Sequence, residues 1–201
     1  MRLKGKILTI VIAPIVAFCV IIYIVSKIRI GSVTKSIIQS NLHALALDVQ
    51  DNITLGQGLE NHYWVDENGD LWNGDSLNLT QDTGFDKIKD EAGIDITVFY
   101  GDTRYINTIR DASGERVVGT KARADVIENV LGRGEPMFVE RIDILGNGSE
   151  YFGYYVPLHD DTQADPVGII FTGMEQGAVE KQINSVIYVL LGVGILEIGR
   201  A

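Results

Sequence analysis

Cysteine, histidine and proline are scarce: the 201 residues hold one, three and four of them. A single thiol, Cys19, excludes an intrachain disulfide and a thiolate metal cluster. It leaves the compartment open, because many exported bacterial domains do without disulfides. Neither His43 nor His62 has a second histidine four residues on, so a helical metal site lacks its donors. HExxH, GxSxG, a P-loop and a glycine-rich dinucleotide fingerprint are all missing, and GNGSE sets Ser149 in the wrong place for a nucleophile elbow. His159 with Asp160 and Asp161 is the one cluster able to abstract a proton, and in HDDTQAD it reads as a solvated turn. Lacking a nucleophile with its base, or a metal, the chain is expected to be no enzyme and to use no cofactor.

Basic charge is missing from the middle of the chain. Residues 31–182 carry 11 Lys and Arg against 26 Asp and Glu, a balance of −15. Nucleic acid needs a basic face for its phosphates, so it is excluded as a partner.

Long apolar runs are present at both ends. Ile7 to Val25 is 19 residues without a charge, close to the roughly 20 that cross a hydrocarbon core. Arg2, Lys4 and Lys6 precede it and Lys27 and Arg29 follow, as at two headgroup layers. Pro14 is tolerable in a membrane helix. SKIRIGS offers no small-x-small cleavage site, so an uncleaved anchor is expected rather than a signal peptide. Ile183 to Leu196 is a second apolar run of 14 residues, short for a span, and is expected to be a second crossing with both termini cytoplasmic. Three segments follow: 1–30, a cytoplasmic N-terminus and first span; 31–182, an extracytoplasmic domain; and 183–201, a second span.

Beyond the first span the helical pattern continues, with Ile30, Val33, Ile37, Leu42, Leu45 and Val49 forming one stripe. HYWVDENGDLWNGDSLNL predicts a hairpin turning at Asn68 and Gly69. The same DENGD tempts a calcium-loop reading, but Gly69 stands fourth and the twelfth residue from Asp66 is Leu77, not glutamate. FDKIKDEAG predicts a short helix stopped by Gly93. Strands are expected over Ile94–Tyr100, Thr103–Arg110, Arg116–Thr120, Pro136–Leu145, Glu150–Leu158 and Pro166–Gly173, with a helix in ARADVIENVLGRG. Short strands joined by tight turns imply an antiparallel sheet with helices on a face and at the ends, an α+β domain.

Simple alternation over Thr103–Arg110 puts Arg104, Ile106, Thr108 and Arg110 on one face, two guanidiniums around a hydroxyl. Such a pair suits a carboxylate or similar anion; equally, each arginine can meet an acidic neighbour. For Arg110, beside the DASGE turn, the neighbour is favoured; for Arg104 the two readings balance. In GYYVPLHD, Tyr154 and Tyr155 point to opposite faces, and Tyr151 shares the face of Tyr155. A tyrosine can wall a pocket with its ring and still offer its hydroxyl.

FYGDTRYINTIRDASGERVVGTKA, then VIENVLGRGEPMFVERIDILGNGSEYFGYYVPLHDD, then VGIIFTG, together resemble the single Cache domain in the periplasmic part of bacterial methyl-accepting chemotaxis receptors. The resemblance spans roughly residues 64 to 175, with LWNGDSLN and FDKIKDEAG also fitting the pattern. It implies a PAS-like antiparallel sheet with a long N-terminal helix, between two transmembrane helices of the inner membrane. A small polar ligand, such as an organic acid or amino acid, would bind on one side of the sheet, and the receptor would act as a homodimer. Resemblance places Arg104, Thr108, Thr120, Lys121, Tyr151 and Tyr155 near that ligand. The receptor pattern would continue into a HAMP linker and a methylated coiled coil, which these residues do not include. The alternative is a membrane-anchored module that binds a protein, with no small-molecule ligand.

Overall fold

A computed structural model describes residues 2–54 and 59–198. Its first helix, α1, runs Arg2–Ile53. Three short strands follow, β1 (Tyr63–Val65), β2 (Leu71–Asn73) and β3 (Leu77–Asn78), forming a small antiparallel sheet in that order. Helix α2 (Gly84–Ala92) precedes β4 (Asp95–Tyr100) and β5 (Thr103–Asn107). A short helix α3 (Ala124–Val126) runs into a π-helical turn, Ile127–Leu131. Strands β6 (Met137–Asp143), β7 (Glu150–Leu158) and β8 (Gly168–Glu175) lead to helix α4 (Gln176–Ile198). The larger sheet is antiparallel throughout, in the order β5-β4-β8-β7-β6. The α+β class expected from the sequence holds.

Two compact units divide the chain: Met1–Ile37 with Val179–Ala201, and Ile38–Ala178. The Val16–Ile53 stretch of α1, whose residues fall partly in the first unit and partly in the second, contains an 18-residue window of mean hydropathy 1.9, none of it buried. Among the described residues it is long and apolar enough to cross a bilayer by length and composition. Phe18, Ile21, Ile24 and Ile28 are exposed along it, while the side chains of Cys19, Ile30 and residues 7–13 lie outside the described residues. The second apolar run is helical as part of α4, but its side chains from Leu190 on also lie outside the described residues.

The second unit is built on a sheet whose two faces carry separate cores. Leu42, Ala46, Val49 and Ile53 recur at intervals of three and four along α1 and are buried. Ala46, Val49 and Ile53 share one core with Ile96, Val98, Val156, Leu158 and Ile170. Each large side chain so buried contributes roughly 1.5–3 kcal/mol. The hydroxyl of Thr172 on β8 donates to the Leu42 carbonyl at 2.8 Å, a bond from mid-sheet to mid-helix. Val33 and Ile37 of the expected stripe are exposed. The opposite face packs Phe99, Ile169, Phe171, Tyr151 and Tyr155 against Val126 and Val130.

Local chemistry sets the turns. The hairpin between β1 and β2 closes as expected at Gly69, whose φ of +86° lies in the left-handed region. Asp66, which tempted a calcium reading, takes the amides of Asn68 and Asp70 on Oδ1 and the Trp72 indole on Oδ2. Helix α2 ends on Gly93, at φ +66°, with its amide on the Lys89 carbonyl.

Two expectations fail in β5 and after it. A bulge between Val98 and Phe99 pairs Phe99 with Arg104 but Val98 with Ile106. Residue 105 is therefore extra, and Arg104 and Ile106 point to opposite faces, not one. Arg116–Thr120 is not a strand; it runs along the outer edge of β5. Arg104 N donates to the Thr120 carbonyl and Gly119 N to the Arg104 carbonyl, at 2.9 and 2.8 Å. Asn107, fully buried, holds this segment by donating to the carbonyls of Ile109 and Val117.

Candidate functional site

Arg104 sits where the edge strand turns its side chain onto the second face of the sheet. Its guanidinium lies over the Phe99 ring, 5.2 Å from the centroid. Its Nε is buried and has no hydrogen-bond partner, and among the described residues the side chain forms no ion pair. Burial pushes its pKa below the ordinary arginine value, partly opposed by attraction to Tyr155. On a domain with a −15 balance, this cation escapes every described carboxylate and leaves its buried Nε an unsatisfied donor.

Tyr155 and Tyr151 stand on the same face of β7, as the alternation predicted, with Tyr154 on the other. Both are buried, yet neither hydroxyl hydrogen-bonds to a described residue. Burial raises the Tyr155 phenol well above its usual value, with Arg123, then Arg104, opposing and Asp125 adding to the rise. Tyr151 is pushed up to about 12, first by burial and then by Asp95 and Glu175. The row thus has two ends: Tyr155 beside cations, Tyr151 beside carboxylates.

The floor between them is aromatic. The rings of Tyr155 and Phe171 are 4.8 Å apart. Gly153 and Gly173 pair across β7 and β8 beneath the Phe171 ring. A Cβ on either would meet that ring at 2.6 or 2.4 Å, so only glycine admits it there. A cleft of about 570 Å³ opens at the outer edge of β5, lined by Tyr105 and Ile106 of the other face, the 110–119 segment, Gly69 and Thr80, as well as by Arg104. That is the size of a small-molecule site, but of the residues on the Arg104 face neither Tyr151 nor Tyr155, Phe99 or Phe171 lines it.

The other three residues expected at the site are engaged elsewhere. Thr108 is buried, takes the Ile96 amide and donates to Asp95, which also meets Lys89 at 2.6 Å. Lys121 is exposed and pairs with Asp102 at 2.7 Å, while Thr120 is exposed and offers its carbonyl to Arg104 N. Lys121, then Thr103, holds the Asp102 carboxyl below its usual range. Arg110 meets Asp86 at 3.8 Å, the acidic neighbour favoured for it, and Arg116 pairs with the same carboxylate. Sequence reasoning missed Arg123 and Asp125, a two-bond ion pair just before and within α3, and Phe99 and Phe171. The register of β4 and β8 assigns those rings to this face, and no linear motif marks it.

No curated protein matches the chain. A family model described as single Cache domain 3 matches residues 75–186, more than half the length, from the turn before β3 into α4. The mixed fold with its long N-terminal helix fits a Cache, PAS-like domain, a kind that binds small molecules, performs no catalysis and usually lies outside the cytoplasm. On that match, and with a buried face that ends in an unpaired guanidinium and two unbonded phenols, the chain belongs to the single Cache domain 3 family of sensor domains.

Proposed function

We propose that the chain is the sensory part of a transmembrane chemoreceptor in the plasma membrane, and that its extracytoplasmic domain binds a small carboxylate, an organic acid or an amino acid. Arg104 carries this reading: its buried Nε has no partner among the described residues, and a carboxylate is an acceptor that suits it with charge-assisted bonds. The Tyr155 hydroxyl is the second donor, and the Phe99 and Phe171 rings supply the dry walls that strengthen both. Ligand binding favours one packing of the sheet, and α4, which continues directly from β8, passes an ångström-scale shift toward the membrane. The exposed Val33 and Ile37 of α1 are the proposed contact between two copies in a homodimer, and residues 183–196 form the second crossing.

The test is a thermal-shift screen of the full chain in micelles against organic acids, amino acids, amines and sugars. A ligand at a hundredfold excess over its Kd adds about 2.7 kcal/mol of stability. Carboxylates are expected to raise Tm, and Arg104→Ala to abolish the rise without lowering the unliganded Tm by more than a few degrees. A rise that survives Arg104→Ala refutes the reading.

A further inference from the structure

The loop joining β7 to β8 was expected to be a solvated turn, and at Asp160 it is the reverse. The Asp160 side chain is wholly shielded from solvent. Its Oδ1 takes three donors: the Thr162 amide at 2.9 Å, the Thr162 hydroxyl at 2.8 Å and the Gln163 amide at 3.2 Å. Its Oδ2 takes none. Burial works to raise this carboxyl, but the Thr162 and Gln163 donors outweigh it and hold the group below the usual range, so it stays ionised at neutral pH.

Among the described residues, one titratable group faces the bare oxygen. His62 Nδ1 lies 3.5 Å from Asp160 Oδ2 and 3.5 Å from the Thr162 hydroxyl, on a side chain about half exposed. Its neighbours are few. The loop also carries His159, Asp161 and Asp165; the Asp161 carboxylate is occupied by the backbone and side-chain amides of Asn61 at 2.7 and 2.9 Å, and among the described residues His159 and Asp165 form no hydrogen bond or ion pair with His62 or Asp160. From β1, Tyr63 turns its hydroxyl away to the Ile53 carbonyl. The Asp161 amide donates to the Asn61 carbonyl at 2.9 Å, and Asn73 links Asn61 to the last turn of α1 through the Ile53 carbonyl. Residues 61–62 thus tie the end of α1 to the loop between β7 and β8.

We propose that His62 and Asp160 form a pH-responsive latch, in which protonation of the imidazole supplies the donor that the buried carboxylate oxygen lacks and tightens the tie as pH falls. A neutral imidazole can offer Nδ1–H in only one of its two tautomers; the cation offers it always, with a full charge facing a full charge. The latch joins the helix leaving the membrane region to the loop between the two strands that carry Tyr155 and Phe171. It stands whether or not a carboxylate is the ligand.

Hydrogen exchange of the full chain in micelles, read by mass spectrometry and corrected for intrinsic rates, tests this. Protection of peptides covering 59–66 and 158–166 is expected to rise roughly threefold from pH 7.5 to 5.5, the scale of a half-exposed ion pair. In His62→Gln, which keeps a neutral donor at a half-exposed position, that rise disappears while exchange elsewhere is unchanged. Asp160→Asn gives the second reading: the rise disappears with the charge, and if the variant is globally unprotected, His62→Gln alone decides. An equal rise in wild type and His62→Gln overturns the latch, as does a wild type whose protection is flat across this range.

Discussion

The Phe171 ring is held against two glycines, and the strength of that arrangement can be worked out. In Gly173→Ala the new Cβ would start 2.4 Å from the ring, against an ordinary contact of about 3.5 Å, so the ring must retreat by about 1 Å. It retreats into packing already occupied by Tyr155, 4.8 Å away. Overpacking of this kind costs about 1–3 kcal/mol, and losing a glycine from a strand returns about 0.5–1 kcal/mol. The net is a destabilisation of about 1–2 kcal/mol, or roughly 2–8 °C in Tm at 2–4 °C per kcal/mol. The decisive measurement is a double-mutant cycle by circular dichroism melting of the full chain in micelles. Phe171→Ala removes the obstacle at a cost of its own of about 3–5 kcal/mol. In that background Gly173→Ala should become neutral or slightly stabilising, a coupling of at least about 1 kcal/mol. If Gly173→Ala costs the same with and without the ring, the glycine is required for some other reason and the account of the site's floor is wrong.

Asn107→Ala should be worse than its small volume change implies. The side chain makes four hydrogen bonds while fully buried, two of them accepted by Oδ1 from the Thr97 hydroxyl and the Ile109 amide, and the partners would be left unpaired. A loss of about 3 kcal/mol in denaturant unfolding is expected, and a loss below about 1 kcal/mol contradicts the assignment. Alkaline titration offers a further check. Burial raises Tyr63 and Tyr151 to about 12, above the usual phenol value near 10, so the fold favours the neutral forms. The stability they contribute is complete below pH ~10 and is lost as pH rises toward 12. Phenolate absorbance should therefore lag a free-tyrosine curve, then rise together with the loss of helical dichroism; ionisation of every tyrosine near pH 10 in the folded chain would contradict it.

The sheet was legible because its strands are rich in β-branched and aromatic residues and end in Gly, Asp and Asn. DITVFY and EYFGYYVPL satisfy the pleat on both faces, so their partition into two cores follows from parity alone. Tyr151 and Tyr155 were found on one face for that reason. Parity failed at Arg104, because a bulge adds one residue to β5 and nothing in TRYIN announces it. It failed again for RVVGT, which has strand composition but is held to β5 by side-chain bonds from Asn107 and by scattered backbone bonds. Asp160 was misread because a polar loop was equated with a solvated one. Residues 61 and 62, about a hundred positions earlier, lie against this loop, Asn61 on Asp161 and His62 on Asp160.

The bond from Thr172 to the Leu42 carbonyl turns α1 into a bar with a detent. A carbonyl one residue along the helix lies about 1.5 Å further on and about 100° around it, out of reach of the same hydroxyl. Only a step of about one turn, 5.4 Å, would offer an equivalent oxygen, from Ile38 or Ala46. Between those stops the hydroxyl has no acceptor in a buried setting, so small axial creep is opposed and rolling about the bond is the softer motion. Any message carried along this bar is biased toward rotation in place, with sliding reserved for whole notches.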